Sequence, residues 1–90
     1  MAQIRVILQI YVESKDLDRV SKALCEIDSV RDVYEVTGEA DLIIVVETPD
    51  VNAFRDVLKN EIMMVEGIRS TVSSVVTYVH KKDGRLTAEA

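Results

Sequence analysis

VRDVYEVTGEADLIIVV, residues Val30 to Val46, reads as two strands joined by a tight polar turn over Thr37-Gly38-Glu39-Ala40-Asp41. The second strand, Leu42-Ile43-Ile44-Val45-Val46, is an unbroken apolar run. A strand with one wet face alternates polar and apolar residues, whereas an unbroken run needs cover on both faces. Ile43 and Val45 therefore need a partner as much as Leu42, Ile44 and Val46 do. In a chain of 90 residues that second cover is expected from another copy. The turn is where glycine, two acids and a hydroxyl converge, and it is the candidate functional segment.

Upstream, Gln3 to Glu13 alternates: Ile4, Val6, Leu8, Ile10 and Val12 share one face, with Arg5, Ile7, Gln9 and Tyr11 on the other. Period two predicts a strand. Ser14-Lys15-Asp16 offers capping side chains, and Leu17, Val20, Leu24 and Ile27 follow at helical spacing. Downstream, Thr48-Pro49-Asp50 predicts a helix start, with Thr48 capping and Pro49 in the first turn. Val51, Phe54, Leu58, Ile62 and Val65 continue that stripe until Gly67, and Met63-Met64 reads as a core plug. Ile68 to Val79 is expected to be a last strand, with Ile68, Val72, Val76 and Tyr78 on one face and Thr71, Ser73, Val75, Thr77 and Val79 on the other. Residues 81–90 read as a flexible C-terminal tail, and 1–80 as the domain.

The order β-α-β-β-α-β predicts an α+β, ferredoxin-like domain. Right-handed crossovers place both helices on one side of a four-stranded antiparallel sheet. Ile7, Tyr11, Ile43, Val45, Val75 and Val79 then point to the other side, forming an apolar patch of interaction-surface size. Two sheets packed face to face about a two-fold axis would cover it, as a dimeric α+β barrel.

Eleven basic residues against sixteen acidic ones give a formal charge of −5. That argues against direct nucleic-acid binding, which draws on Lys and Arg neutralising phosphates. One cysteine makes no internal disulfide, and no apolar stretch approaches a membrane span or a signal peptide, so a cytoplasmic protein is expected. Cys25, read as a small semi-buried filler, and His80, read as a solvated side chain, are too few for a metal site and are not brought together by the sequence. No catalytic group, metal or cofactor is expected. The acids of the helices read as solvated faces. The turn has two readings. It is a hairpin turn with Gly38 at positive φ and Asp41 bonding local amides. The same groups can also hold a small zwitterion, amides facing its carboxylate and Asp41 its ammonium.

VYEVTGEADLIIVVE, a helix, and then VEGIRSTVSSVV together resemble the effector-binding (RAM) domain of the Lrp/AsnC, or feast/famine, transcription regulators. The resemblance rests on Thr37, Gly38 and Asp41 before an apolar strand, and on Gly67-Ile68 before the Ser/Thr-rich last strand, and runs from about Ile4 to Val79. It implies sheet-to-sheet homodimers that often assemble further, frequently to an octamer, with a free amino acid bound between dimers. Carried over, the ligand contacts are Thr37, Gly38, Glu39 and Asp41, with Thr71, Ser73 and Ser74 from a neighbouring subunit's last strand. Ala40 stands where many relatives carry an aromatic residue, which leaves the pocket wider or unused. The helix-turn-helix of full-length regulators is absent from the sequence, so this looks like the stand-alone form, acting by binding an effector or by co-assembling with a full-length Lrp/AsnC regulator. Two rivals are a small ferredoxin-like monooxygenase and an ACT-type amino-acid-binding module. The first needs chemistry between helices and sheet, where Ile4, Val6, Leu8, Ile10, Ile68, Val72 and Val76 offer none. The second needs a glycine after the first strand, where Glu13-Ser14-Lys15-Asp16 has none.

Overall fold

The computed structural model describes residues 3–87. Strands β1 (Ile4–Val12), β2 (Val30–Glu35), β3 (Leu42–Thr48) and β4 (Ile68–Val75) form one sheet in the order β2-β3-β1-β4, with every neighbouring pair antiparallel. Helix α1 (Leu17–Cys25) packs along β2, and α2 (Val51–Val57) lies over β3. The ferredoxin-like topology expected from the sequence is the one observed.

The core forms between sheet and helices. Val6, Leu8 and Ile10 of β1 and Leu42, Ile44 and Val46 of β3 meet Val20, Leu24, Phe54, Val57 and Ile62. Alternation along β1 and β3 decides this: from Val6 on, the even-numbered residues of both strands are buried and their odd-numbered neighbours are not, while Ile4 is partly buried.

The helix starts differ from expectation. Ser14–Asp16 form a 3₁₀ turn, and Asp16 pairs with Arg19 at 3.0 Å instead of capping α1. At α2 the cap is Asp50, whose Oδ1 accepts the Ala53 N–H at 2.8 Å. Thr48 ends β3 buried, its hydroxyl donating to the Asp50 carbonyl at 3.0 Å. After α2 the chain takes one π-helical turn, Leu58–Ile62, closed by the Met63 N–H on the Leu58 carbonyl at 2.8 Å. That wider turn absorbs an extra residue, keeps Ile62 in the core, and leaves Met63 and Met64 exposed rather than plugging a gap.

The last strand departs most. β4 pairs with β1 as Val12↔Ile68, then Tyr11↔Ser70, Ile10↔Thr71, Gln9↔Val72 and Val6↔Val75. One extra residue, at Arg69, reverses the faces downstream. Val72 therefore lies on the uncovered face, and Val75, expected there, lies on the helix side opposite buried Val6. The strand stops at Val75, so Tyr78 and Val79 belong to no strand. Residues read as a loose tail carry a hairpin, β5 (Lys81–Lys82) with β6 (Arg85–Leu86), turning at Asp83-Gly84, a dipeptide that two-residue hairpins favour. Residues 1–2 and 88–90 of the expected domain and tail lie outside the described residues.

Candidate functional site

The Thr37–Asp41 turn is held from below. Asp41 donates its N–H to the Ile10 carbonyl at 3.0 Å and accepts the Val12 N–H on Oδ2 at 2.9 Å, while the Val36 N–H reaches the Asp41 carbonyl at 3.1 Å. The β1–β3 ladder stops at Ile10↔Leu42, so Val12 has no ladder acceptor on that side and the carboxylate supplies one. Asp41 is thus a structural clamp, and among the described residues its Oδ1 accepts no hydrogen bond. Ala40 is buried beneath the turn. Thr37, Gly38 and Glu39 are exposed at the tip, Gly38 has φ +134°, and a Cβ there would meet nothing within 4 Å.

Thr71 lies in the same row as Ile10 and Leu42, two strands from the turn and at its end of the sheet. Ser73 is on the same helix-side face one pair further along, whereas Ser74, opposite Ile7, is on the uncovered face. One chain therefore does not gather all seven candidate ligand residues. Thr71 and Ser73 share a flank of the edge strand; the turn is across β1; Ser74 is behind.

The other face of the sheet is uncovered. Ile7, Gln9 and Tyr11 of β1, Ile43 and Val45 of β3, Tyr34 of β2 and Val72 of β4 share it by register. Tyr34 and Val72 are half exposed, at 53% and 50%. Ile7, Tyr11, Ile43 and Val45 stand where the sequence reading put them. The segment from Val76 to Lys82 crosses one end of this face, and an open cavity of about 730 Å³ lies between Ile7, Tyr34 and Val45 on the sheet and Val79, His80 and Lys81 of that segment. Val79 is thus at the uncovered face, though not within a strand.

An ion pair on the floor of this cavity is not evident from sequence reasoning. Arg5 donates from Nε and Nη2 to Glu47 Oε2 at 2.9 and 2.7 Å, and Arg31 Nε lies 3.8 Å from Glu47 Oε1. Only the register, which sets Arg5 opposite Glu47, brings these together. His80 stacks on Tyr78 with ring centroids 4.5 Å apart, and Cys25 is exposed rather than a semi-buried filler. Among the described residues no cluster of His, Cys, Asp or Glu is arranged to hold a metal, and no helix is long and apolar enough to cross a membrane.

The geometry defines a two-layer ferredoxin-like module with one bare apolar sheet face and an anchored polar turn at its edge. The chain belongs to the Lrp/AsnC ligand-binding domain family, whose model matches residues 5–86. Among solved structures, TTHA0845 from Thermus thermophilus is 26% identical with a TM-score of 0.82, over 88% of this chain and 99% of that one. AsnC from E. coli is 25% identical with a TM-score of 0.81, over 97% of this chain but 57% of that one, so this chain spans little more than half of that regulator. The Neisseria meningitidis transcriptional regulator NMB0573, solved as an L-Met complex, shares the fold at 19% identity, with a TM-score of 0.76 over 97% of this chain and 55% of that one. A curated homocitrate synthase of Sulfurisphaera tokodaii is 35% identical over 57 residues, 63% of this chain and 12% of that protein.

Proposed function

We propose that this chain is a non-enzymatic amino-acid-binding and oligomerisation module of the cytoplasm that modulates transcription regulators of amino-acid metabolism. Copies pair through the bare sheet face, and pairs assemble further. A free amino acid binds where the Thr37-Gly38-Glu39 tip and the free Oδ1 of Asp41 meet Thr71 and Ser73 of a neighbouring copy. Amides of the turn face its carboxylate and Asp41 its ammonium. Ser74, on the opposite face, contributes to pairing instead.

The observation that carries this reading is the anchored turn at the edge of a bare face in a ligand-binding-domain family member. The Asp41 carboxylate is pinned by the Val12 N–H, so its free oxygen is presented without further ordering cost. The L-Met complex of the Neisseria regulator supports an amino acid as the first ligand class to test. Between helices and sheet the side chains are aliphatic apart from Phe54, with Thr48 the one buried polar residue among those described, which speaks against monooxygenase-type chemistry there. The segment shared with a homocitrate synthase supports a second setting, in which such a module accompanies an enzyme rather than a DNA-binding protein.

Calorimetry with each of the twenty amino acids, paired with native mass spectrometry, tests the proposal. A saturable heat from at least one of them at millimolar concentration, with a shift in assembly, is the expected result. An effector moves the assembly only through its differential affinity for two states. Silence from all twenty would remove the sensing role and leave assembly alone.

A further inference from the structure

The helices leave one strip of their own side of the sheet open. Thr71, Ser73 and Val75 of β4 lie on that side, opposite Ile10, Leu8 and Val6. Those three β1 residues are fully buried, whereas Ser73 is exposed and Val75 is 47% exposed. An open trough therefore runs along the edge strand. At its Thr71 end stands Met63, whose Sδ accepts from Thr71 Oγ1 at 3.9 Å. A thioether is a weak acceptor, so the hydroxyl is left available to a stronger partner.

The backbone turns this methionine outward. The π-helical turn Leu58–Ile62 closes with the Met63 N–H on the Leu58 carbonyl; Ile62 is fully buried and Met63, the next residue, is 43% exposed. Such turns are rare and recur at functional sites. The residue type is informative as well, because an unbranched side chain with a polarizable sulfur moulds to apolar groups of differing shape. Met63 thus borders the hydroxyls that the amino-acid site proposed above draws from a neighbouring copy.

We propose that Met63 sets the side-chain specificity of that site, which takes amino acids with flexible apolar side chains, methionine and leucine foremost. The inference rests on the amino-acid reading above and adds the class of ligand. The Thr37–Asp41 turn faces the ammonium and carboxylate that every amino acid carries, so it does not discriminate among them. The ligand's side chain lies on Met63 of the copy that lends Thr71, and an apolar one gains contact there. Lysine or glutamate sets a charged head against the thioether and loses hydration without gaining a partner.

Calorimetry with methionine, leucine, lysine and glutamate tests this on the wild type and on Met63→Leu, Met63→Ala, Met63→Glu and Met64→Glu. Met63 and Met64 are 43% and 73% exposed, and far-UV circular dichroism with native mass spectrometry checks that each variant keeps the fold and the assembly. The wild type is expected to bind methionine and leucine about tenfold or more tighter than lysine and glutamate. Met63→Leu, close in volume, should keep that order. Met63→Glu should weaken methionine and leucine by about tenfold or more and bring lysine ahead of them, its carboxylate facing the ligand's ammonium. Met63→Ala, which adds no charge, should narrow the gap between apolar and charged ligands and stands in should the Glu variant lose its assembly. Met64→Glu, the same charge change one residue on, should keep the wild-type order. A reversed order separates this role from a structural one, which would weaken all four ligands alike. A wild type that prefers charged amino acids, Met63 variants that rank ligands as the wild type does, or equal reversal by Met64→Glu would overturn the role of Met63 and leave the amino-acid site standing. A wild type silent to all twenty amino acids would instead remove the site, and its specificity with it.

Discussion

Gly67 joins conformation and space at a single residue. It ends the second helical segment with φ +107°, accepts the Glu13 N–H at 3.0 Å, and a Cβ there would stand 2.9 Å from Asp16 Cβ and 3.1 Å from Arg19 Nη2. Gly67→Ala should therefore destabilise by about 2–4 kcal/mol, combining backbone strain with displacement of the Asp16–Arg19 pair. Gly38→Ala, with open space around it, should cost about 1–2 kcal/mol from conformation alone. Chemical denaturation of both decides it; equal losses would show that the contact with Asp16 adds nothing. Asp41 separates structure from recognition in the same way. Asp41→Ala leaves the Val12 N–H without its acceptor and should cost about 1–3 kcal/mol, while Asp41→Asn keeps an acceptor and should cost less. Both remove the charge offered to an ammonium, so amino-acid heats should vanish in both. An Asn variant that binds as well as wild type would take Asp41 out of recognition.

At the scale of the element, β4 is decided by one residue. Because Arg69 is the extra residue of the bulge, Val72 faces the bare side and Val75 does not. Val72→Lys should weaken pairing measured by sedimentation, and Val75→Lys should leave it unchanged; the reverse pattern would mean that β4 is read one residue out. This strand is also where the sequence was least legible. β1 and β3 carry strict alternation or a solid apolar run, so their faces and the topology can be read directly. Ile68-Arg69-Ser70-Thr71-Val72-Ser73-Ser74-Val75 has small polar residues on both faces, and nothing in it marks where a bulge falls. The Asp83-Gly84 hairpin lies in a segment read as a tail, because its strands are two residues each and lack an apolar pattern. Asp50 outcompeted Thr48 as a cap because the β3 ladder draws Thr48 into the sheet and buries it. Of the candidate site, the turn and Asp41 were readable from local chemistry. The Arg5–Glu47 pair, 42 positions apart, existed only in the register.

As a whole, the molecule is a slab of 42 × 28 × 19 Å, one sheet and one helical layer thick. Its accessible surface of 6367 Å² exceeds the roughly 5,300 Å² of a compact monomer of 10.1 kDa, with one sheet face bare and the Lys81–Leu86 hairpin exposed. In the pairing proposed above, a second copy on the bare face would supply a further layer. Ile43→Lys combined with Val45→Lys puts two charges at the centre of the face, while the neighbouring Leu42, Ile44 and Val46 stay in the core. The expected product is a folded chain of single mass in native spectrometry, because the substitutions touch pairing rather than the helix–sheet core. If the amino-acid site is completed by a neighbouring copy, this monomer should also show no binding heat with any amino acid that the wild type binds. A monomer that keeps full affinity would place the site within one chain and separate sensing from assembly. A variant still dimeric at micromolar concentration would show that copies meet elsewhere on the surface.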